Sequence, residues 1–387
     1  MNQGKYVFAQ ITEFLPKRVF DRFVKKHHGN KYFKHFSCWN QLLCMLFGQL
    51  TNRESLRDLV GVINAHADKT YHLGFGKSVS KSNLAKANSK RDSRIFEAFA
   101  YHLIAIAREL RQNNDFKIKG QVYAFDSTTI DLCLSVFWWA KFRKHKGGIK
   151  MNTLFDVVTQ IPAFVYISTA NTHDVNAMDM LVYEPEAYYI FDRAYVDFQR
   201  LFKITQHSAF FVVRAKSNLR FSRMYSLKCN KENGVKCDQI GKLTGFYISK
   251  DYPQKVRRIK YFDKETKRIF VFLSNNFELS AEEIAYLYKN RWQIELFFKW
   301  IKQHLKIKAF WGTTENAVRI QIFTAISAYC LVAIVGSSLK IERSTYEILQ
   351  VLGISLIDKT PVNELFKIKY SQNVKEPICN QLSLSLF

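Results

Sequence analysis

The spacing of apolar residues changes near residue 119, and the change separates two kinds of structure. Before it, the segments 36–52 and 54–68 place apolar residues every three to four positions, which predicts helices. After it, 121–130 and 186–197 are rich in β-branched and aromatic residues, which predicts strands. Helical patterns between the later strands favour an α/β domain that follows a helical one.

Further patterns complete this outline. The sequence predicts a strand hairpin at 151–170 that turns near Gln160, helices at 173–183 and 197–207, and two strands about the turn 263–266. The helical period returns from Ser280 to about 340, and it includes one long helix at 281–308.

The charge of the chain indicates its partner. The 387 residues include 58 Lys and Arg against 33 Asp and Glu, a formal charge of +25. Such a surplus costs self-repulsion unless a polyanion offsets it, so nucleic acid is the expected partner. Residues 1–119 carry 21 − 9 = +12 of this charge, and a small helix-turn-helix-like unit is expected there; a basic helical bundle without DNA is the alternative.

Composition also excludes several classes. A hydrophobic content of 48% excludes intrinsic disorder, and seven cysteines without a CxxC pair indicate neither a disulfide framework nor a thiolate zinc site. We therefore expect a cytoplasmic protein. The uncharged stretch 320–336 predicts a buried core helix, with a membrane span as the alternative.

Two aspartates follow apolar strands. Asp126 comes after Val122–Phe125, and Asp192 comes after Tyr188–Phe191, so each is predicted to lie at a strand end. Ligand sites in open α/β sheets gather at the carboxyl ends of strands. The alternative is that each aspartate caps a turn.

The predicted helix 281–308 carries a third carboxylate. Tyr288, Arg291, Lys299 and Lys302 stand at offsets of −7, −4, +4 and +7 from Glu295, and at about 100° per residue all lie within about 40° of it. A solvated stripe of ion pairs is the alternative. Three carboxylates in a basic protein suit a pair of Mg²⁺ or Mn²⁺ ions, which drive phosphoryl chemistry on nucleic acid.

These residues match a known signature. The pattern Y-x2-R-x3-E-x6-K is present as Tyr288, Arg291, Glu295 and Lys302, with AFDSTTIDL and YIFDRAYVDF upstream in the expected order. In these motifs the chain resembles the DDE insertion-sequence transposases of family four over about 115–340. The resemblance implies an α/β fold with an RNase H-like catalytic core, a β-rich insertion and an N-terminal helical domain.

The resemblance also implies roles. Asp126, Asp192 and Glu295 would be the catalytic residues and would bind two Mg²⁺ or Mn²⁺ ions. Tyr288, Arg291 and Lys302 would contact transposon-end phosphates, and Lys299 occupies a position that could join them. The expected partners are double-stranded DNA, as terminal inverted repeats and target, and a second copy of the chain on that DNA; the expected place is the bacterial cytoplasm, on the nucleoid, with no membrane.

The outline and the resemblance together predict a domain order. It consists of a helical DNA-binding domain at 1–80, a helical connector at 81–119, the RNase H-like core at 120–214 and 277–340, a β-rich insertion at 215–276 and a C-terminal tail at 341–387.

A basic run between the first predicted strands is a further candidate. WWAKFRKHKGGIK contains Lys141, Arg143, Lys144 and Lys146 and no acid, and its glycine pair predicts a flexible loop that follows a DNA backbone. A solvated loop is the alternative.

The sequence thus predicts a DDE transposase that binds its terminal inverted repeats and performs cut-and-paste transposition by two-metal-ion strand cleavage and transfer. Two alternatives stay open at this point. One is a non-catalytic DNA-binding protein that retains the fold, and the other is a different RNase H-like nuclease, such as a junction resolvase.

Overall fold

A helical N-terminal part precedes a mixed sheet in the computed structural model, which describes residues 4–76, 79–112, 116–143, 146–305, 307 and 310–367. The helices are α1 (Val7–Thr12), α2 (Lys17–Lys26), α3 (Cys38–Leu50), α4 (Leu56–Ala65), α5 (Lys81–Lys90), α6 (Arg94–Leu110), α7 (Phe198–Gln206), α8 (Phe246–Asp251), α9 (Ala281–Lys289), α10 (Trp292–His304), α11 (Glu315–Ser338), α12 (Thr345–Ser355) and α13 (Val362–Leu365). The strands are β1 (Val122–Leu132), β2 (Lys141–Arg143), β3 (Lys146–Asp156), β4 (Ile161–Thr169), β5 (Tyr188–Phe191), β6 (Phe210–Arg214), β7 (Phe221–Ser226), β8 (Val235–Leu243), β9 (Lys255–Asp263) and β10 (Arg268–Ser274).

The sheet joins antiparallel and parallel pairs. Its order over the described strands is β2-β3-β1-β5-β6-β10-β9-β8-β7, and β4 also pairs with β3. The predicted hairpin is confirmed, because β3 and β4 pair antiparallel and Gln160 takes a positive φ of 57° at the turn. The strands β5 and β6 pair parallel on either side of α7, as expected for a βαβ unit.

The β-rich region 215–276 extends this sheet. Strand β10 pairs antiparallel with β6, and β9, β8 and β7 follow outward. The predicted strand pair about 263–266 is confirmed as β9 and β10. The insertion therefore belongs to the same sheet as β1 and β5.

Helix α11 is the central helix of the molecule. Its most apolar window has a mean hydropathy of 1.9, enough by length and composition to cross a membrane, but 94% of that window is buried inside the protein. Thr324 and Ser327 donate hydrogen bonds to backbone carbonyls one turn earlier, each at 2.8 Å. The polar residues that dilute the segment are thus satisfied within a protein core, and the prediction of a core helix is confirmed.

Helix α3 lies in the same core. Eleven of its 13 residues are buried, and it packs against α11. The first helix of the expected helix-turn-helix-like unit therefore has no free face for DNA. Any DNA-binding helix in this part of the chain must be a different one.

Three local expectations differ from the structure. The helix predicted at 281–308 is two helices, α9 and α10, with a tight turn at Asn290–Arg291. The helix predicted at 173–183 is a 3-10 helix at Asp174–Met180, and the glycine pair 147–148 lies inside β3, within a β2–β3 hairpin rather than a flexible loop. The predicted tail contains helices α12 and α13, and α12 packs on α3 and α11.

The first and last helices that the structure describes, α1 and α13, contact each other. The backbone N–H of Val7 donates to Asp358 and that of Phe8 to Leu356, at 2.8 and 3.0 Å. Gln10 accepts from the N–H of Val362 at 3.1 Å. Residues 368–387 lie outside the described part. The six cysteines that the structure describes are free.

Candidate active site

Asp126 and Asp192 follow the last paired residues of two neighbouring parallel strands. Phe125 and Phe191 form the final pair of the β1–β5 ladder, and both are fully buried. The aspartate is the next residue in each chain segment, so the sheet register places the backbone of Asp126 and Asp192 on neighbouring strands. Asp192 lies at the strand end as predicted. Asp126 does not: β1 continues to Leu132 because its antiparallel partner β3 extends further than β5.

The carboxylate of Asp126 is mostly buried and contacts three groups. The Ser127 amide donates to Oδ1 at 2.8 Å, Arg291 Nη1 donates to Oδ2 at 3.1 Å, and the Tyr195 hydroxyl lies 3.5 Å from Oδ1. Burial raises the pKa of Asp126 to about 6, although the Ser127 amide and Arg291 lower it. Repulsion from nearby carboxylates raises it further.

Those carboxylates are Glu295 and Asp192, which both raise the pKa of Asp126. The site therefore concentrates negative charge, which costs free energy unless a cation offsets it. The Arg291 guanidinium also contacts both Asp126 and Glu295, so these two carboxylates lie close together, with Asp192 on the neighbouring strand.

Tyr288 holds the second aspartate. Its hydroxyl donates to Asp192 Oδ1 at 3.2 Å, and its ring packs 4.7 Å from that of Phe272 on β10. Burial raises the pKa of Tyr288 to about 12, so the phenol stays protonated and donates at neutral pH. The sheet extension thus supports a tyrosine that orients an active-site carboxylate.

Arg291 joins the first aspartate to the glutamate. Its guanidinium pairs with Asp126 and with Glu295, the latter across one helical turn. Its Nε is buried without a hydrogen-bond partner among the described residues. Arg291 lies in the turn between α9 and α10. Its backbone N–H donates to the backbone carbonyl of Tyr288 at 3.0 Å, an i to i−3 bond that tightens the helix.

The donor chemistry fits a divalent ion, although the arrangement is not that of a closed metal site. Among the residues that the structure describes, no group of three His, Cys, Asp or Glu side chains is placed to hold a metal. The Arg291 guanidinium lies between two of the carboxylates instead. Three carboxylates suit Mg²⁺ or Mn²⁺, because these hard cations prefer oxygen ligands.

The remaining predicted contacts are dispersed. Lys302 Nζ donates to the Thr129 carbonyl on β1 at 2.8 Å, so this lysine ties α10 to the strand of Asp126. Lys299 is exposed on α10, and Lys141 is exposed at the start of β2. Arg143 and Lys146 form a backbone pair across the β2–β3 hairpin, and Lys144 lies outside the described residues.

Sequence reasoning missed a neighbouring polar cluster. Ser127 Oγ donates to Asp174 Oδ1 at 2.7 Å, and Lys150 Nζ pairs with the same oxygen at 3.0 Å. Lys150 also donates to the Thr172 carbonyl at 2.7 Å. These residues come from β1, β3 and a 3-10 helix, so no local spacing marks them. Asp174 is the first residue of the 3-10 helix, and His173 precedes it.

A cleft of about 870 Å³ opens beside the site. It lies between α9 and the β9–β10 hairpin, and both Tyr288 and Arg291 line it. Phe270 and Phe272 add apolar surface, Arg214 adds positive charge, and Lys289 pairs with Glu265 at 2.6 Å. The carboxylate cluster is therefore next to an open, aromatic surface that carries charges of both signs.

Comparison with known proteins identifies the class. Residues 117–331, more than half of the chain, match the family described as "Transposase DDE domain". Residues 3–76 match a second family, described as "Domain of unknown function (DUF4372)". The chain belongs to the DDE transposases, and the RNase H-like α/β fold expected from the sequence is confirmed. The family implies an enzyme that cleaves and transfers DNA.

Named relatives agree with this class. The putative transposase y4zB of Sinorhizobium fredii is 36% identical over 274 residues, covering 69% of this chain and 74% of its own length. The probable transposase for insertion sequence element IS5377 of Geobacillus stearothermophilus is 31% identical over 211 residues, covering 53% and 54%. The putative transposase for insertion sequence element IS4SA of Synechocystis is 28% identical over 263 residues, covering 66% and 72%.

Proposed function

We propose that this transposase binds the terminal inverted repeats of its insertion sequence and performs strand cleavage and strand transfer with two Mg²⁺ ions at Asp126, Asp192 and Glu295. One observation carries the proposal. Asp126 and Asp192 directly follow the last pair of a parallel ladder, and Arg291 and Tyr288, three residues apart, connect them to the glutamate helix. We further propose that the enzyme acts as a homodimer on DNA in the bacterial cytoplasm.

The carboxylate oxygens of Asp126, Asp192 and Glu295 would hold the ions. When bound, such ions activate a water or a 3′ hydroxyl and offset charge on the phosphate that is cleaved. The chain's own residues set up this chemistry. Tyr288 orients Asp192 through its hydroxyl, and the fully buried Phe125 and Phe191 anchor the two strands that lead to Asp126 and Asp192.

Cations next to the site would bind the DNA backbone. Arg291 lines the open cleft, and exposed Lys299 stands one turn beyond Glu295 on α10. Phosphate contacts position DNA without reading its sequence. Lys302 would act indirectly, by holding α10 against the strand of Asp126, because its ammonium already donates to the Thr129 carbonyl at 2.8 Å.

The test is cleavage of duplexes that carry the ends of the element, in Mg²⁺, with four-way junctions as a second substrate. Asp126→Asn, Asp192→Asn and Glu295→Gln should each abolish cleavage and leave end binding intact. Asp131→Asn is the matched control, since Asp131 is exposed on the same strand as Asp126 and should leave cleavage unchanged.

Retained cleavage in any of the three variants would remove that residue from the proposed site. Cleavage of junctions in preference to element ends would favour a resolvase. DNA binding by a wild-type protein that cleaves neither substrate would favour a non-catalytic binding protein.

A further inference from the structure

Helix α5 presents a polar, basic face that the proposed chemistry does not use. Between Asp68 and Asp92 the sequence contains six Lys and Arg and no Asp or Glu. Within it, α5 exposes Lys81, Ser82, Asn83, Lys86, Ser89 and Lys90. At about 100° per residue, the last five of these lie within about 120° of one another, so they form one face.

The exposed face contains side chains that can read a duplex. Asn83 carries an amide that can donate to and accept from an adenine edge, Ser82 and Ser89 can bond to several base edges, and lysines bind phosphates or guanine. A helix of 10 residues is about 15 Å long, and the major groove of DNA admits a helix of this kind. A solvated helix normally alternates charge signs, whereas none of the exposed lysines here pairs with a carboxylate of the described residues.

The opposite face fixes α5 to the molecular core. Leu84, Ala87 and Asn88 are buried, and the Asn88 side chain accepts from Gln41 Nε2 of α3 at 2.6 Å. The Asn316 side chain of α11 donates to the Asn88 carbonyl at 2.9 Å. Because α11 is the central helix of the protein, the orientation of α5 is set by the core and not by a flexible linker.

A basic loop lies against the C-terminal end of α5. Arg91, directly after the helix, is 2% exposed, and its Nε donates to the Gly29 carbonyl at 3.0 Å. It also donates to the Phe36 carbonyl, so this one buried cation holds both ends of the loop. Lys31 and Lys34 are exposed on that loop. The loop is therefore a neighbour of the C-terminal end of α5, and both carry exposed lysines.

We propose that α5 lies in the major groove of duplex DNA and reads base edges through Asn83, while Lys86 and the loop at residues 29–36 contact the backbone. This inference rests on the proposed binding of element ends and assigns it to a helix outside the matched segment 3–76. Helix α3 cannot take this role, because eleven of its 13 residues are buried.

The experiment measures binding of the full-length protein in EDTA, which prevents cleavage. The probes are fluorescent duplexes from the ends of the element and a scrambled duplex of equal composition. Asn83→Ala should weaken binding to the end duplex about 10- to 100-fold and leave binding to the scrambled duplex unchanged. Lys86→Ala should weaken both, and should flatten the slope of log K against log salt by about 0.9.

Lys340→Ala is the matched control. Lys340 is exposed just beyond the far end of α11, about 36 Å along that helix from the Asn316 contact, and should change neither affinity nor slope. Thermal unfolding of each variant checks that it is folded. Wild-type affinity, slope and discrimination in both α5 variants would overturn the proposal, and so would tighter binding of single-stranded RNA than of duplex DNA.

The two proposals fail in different ways. If the α5 variants bind and cleave like the wild type while Glu295→Gln abolishes cleavage, the assignment of DNA reading to α5 is wrong and the proposed active site is retained. If the α5 variants lose binding but the carboxylate variants still cleave, the proposed active site is wrong and the assignment of DNA reading to α5 is retained.

Discussion

The two sides of the candidate site are built differently. On the sheet side, Asp126 and Asp192 follow residues fixed by a parallel ladder, and their neighbours Phe125 and Phe191 are fully buried. On the helix side, the Glu295 side chain is 55% exposed and is held through an ion pair with Arg291. The sheet register therefore positions two of the three proposed metal-binding carboxylates, whereas the position of the third depends on an ion pair that a bound metal could replace.

This contrast predicts that truncating a side chain beside Asp192 lowers the stability of the protein more than truncating a side chain beside Glu295. Phe191→Ala should destabilise the protein by about 3–5 kcal/mol, because it empties a packed core position beside Asp192. Leu296→Ala, beside Glu295 and 46% exposed, should cost less than about 0.5 kcal/mol. Urea unfolding of both variants measures the difference, and equal costs would show that the helix side is as tightly packed as the sheet side.

The charge at Asp126 should cost stability in the metal-free protein. Its pKa is raised from 3.8 to about 6, mainly by burial, so the folded state binds the proton more tightly than the unfolded chain does. Stability should then fall as pH rises from about 4 to 6, and Asp126→Asn should relieve up to about 3 kcal/mol above pH 6. Denaturant unfolding in EDTA at pH 4.5 and 7.5 measures this. A gain that is equal at both pH values would contradict it.

Arg291 should act as a counter-ion that a metal can replace. Arg291→Ala in EDTA leaves two carboxylates without their partner and should cost about 1–3 kcal/mol. Added Mg²⁺ should restore most of this loss, because a divalent ion binds the same oxygens. Thermal unfolding with and without Mg²⁺ measures the change, with Arg319→Ala as the control, since Arg319 pairs with Glu315 on α11. A deficit that Mg²⁺ leaves unchanged would separate Arg291 from the ion site.

The sequence predicted those features of the fold and site that depend on a pattern of neighbouring residues. The β3–β4 hairpin, the buried α11 and the position of Asp192 after an apolar strand all follow from residues that are neighbours in the chain. The continuation of β1 past Asp126 depends on how far β3 pairs, which no local pattern contains. The contacts of Lys302 with Thr129 and of Lys150 with Asp174 likewise join distant segments.

The break between α9 and α10 was missed for a different reason. The apolar period runs through it without interruption, so periodicity predicts one helix. The interruption comes from polar side chains that compete for the backbone: Asn290 Nδ2 donates to the Tyr286 carbonyl at 2.8 Å, and Gln293 Nε2 donates to Asn290 Oδ1 at 3.0 Å. That turn directs Tyr288 to Asp192 and Arg291 to Asp126, so the two aspartates have separate partners.

The smallest expected effect on stability is that of removing the Tyr288 hydroxyl, and it tests whether this tyrosine holds the Asp192 carboxylate in place. Its hydroxyl bond to Asp192 is 3.2 Å long, and its ring packs on Phe272. Tyr288→Phe keeps the packing and removes the one hydrogen bond, so it should cost about 0.5–1.5 kcal/mol in the metal-free protein. Tyr286→Phe, a partly buried tyrosine on the same helix, is the control. If Tyr288 orients the carboxylate for an ion, its loss should also weaken Mn²⁺ binding in calorimetry, whereas a tyrosine that only packs would leave Mn²⁺ affinity unchanged.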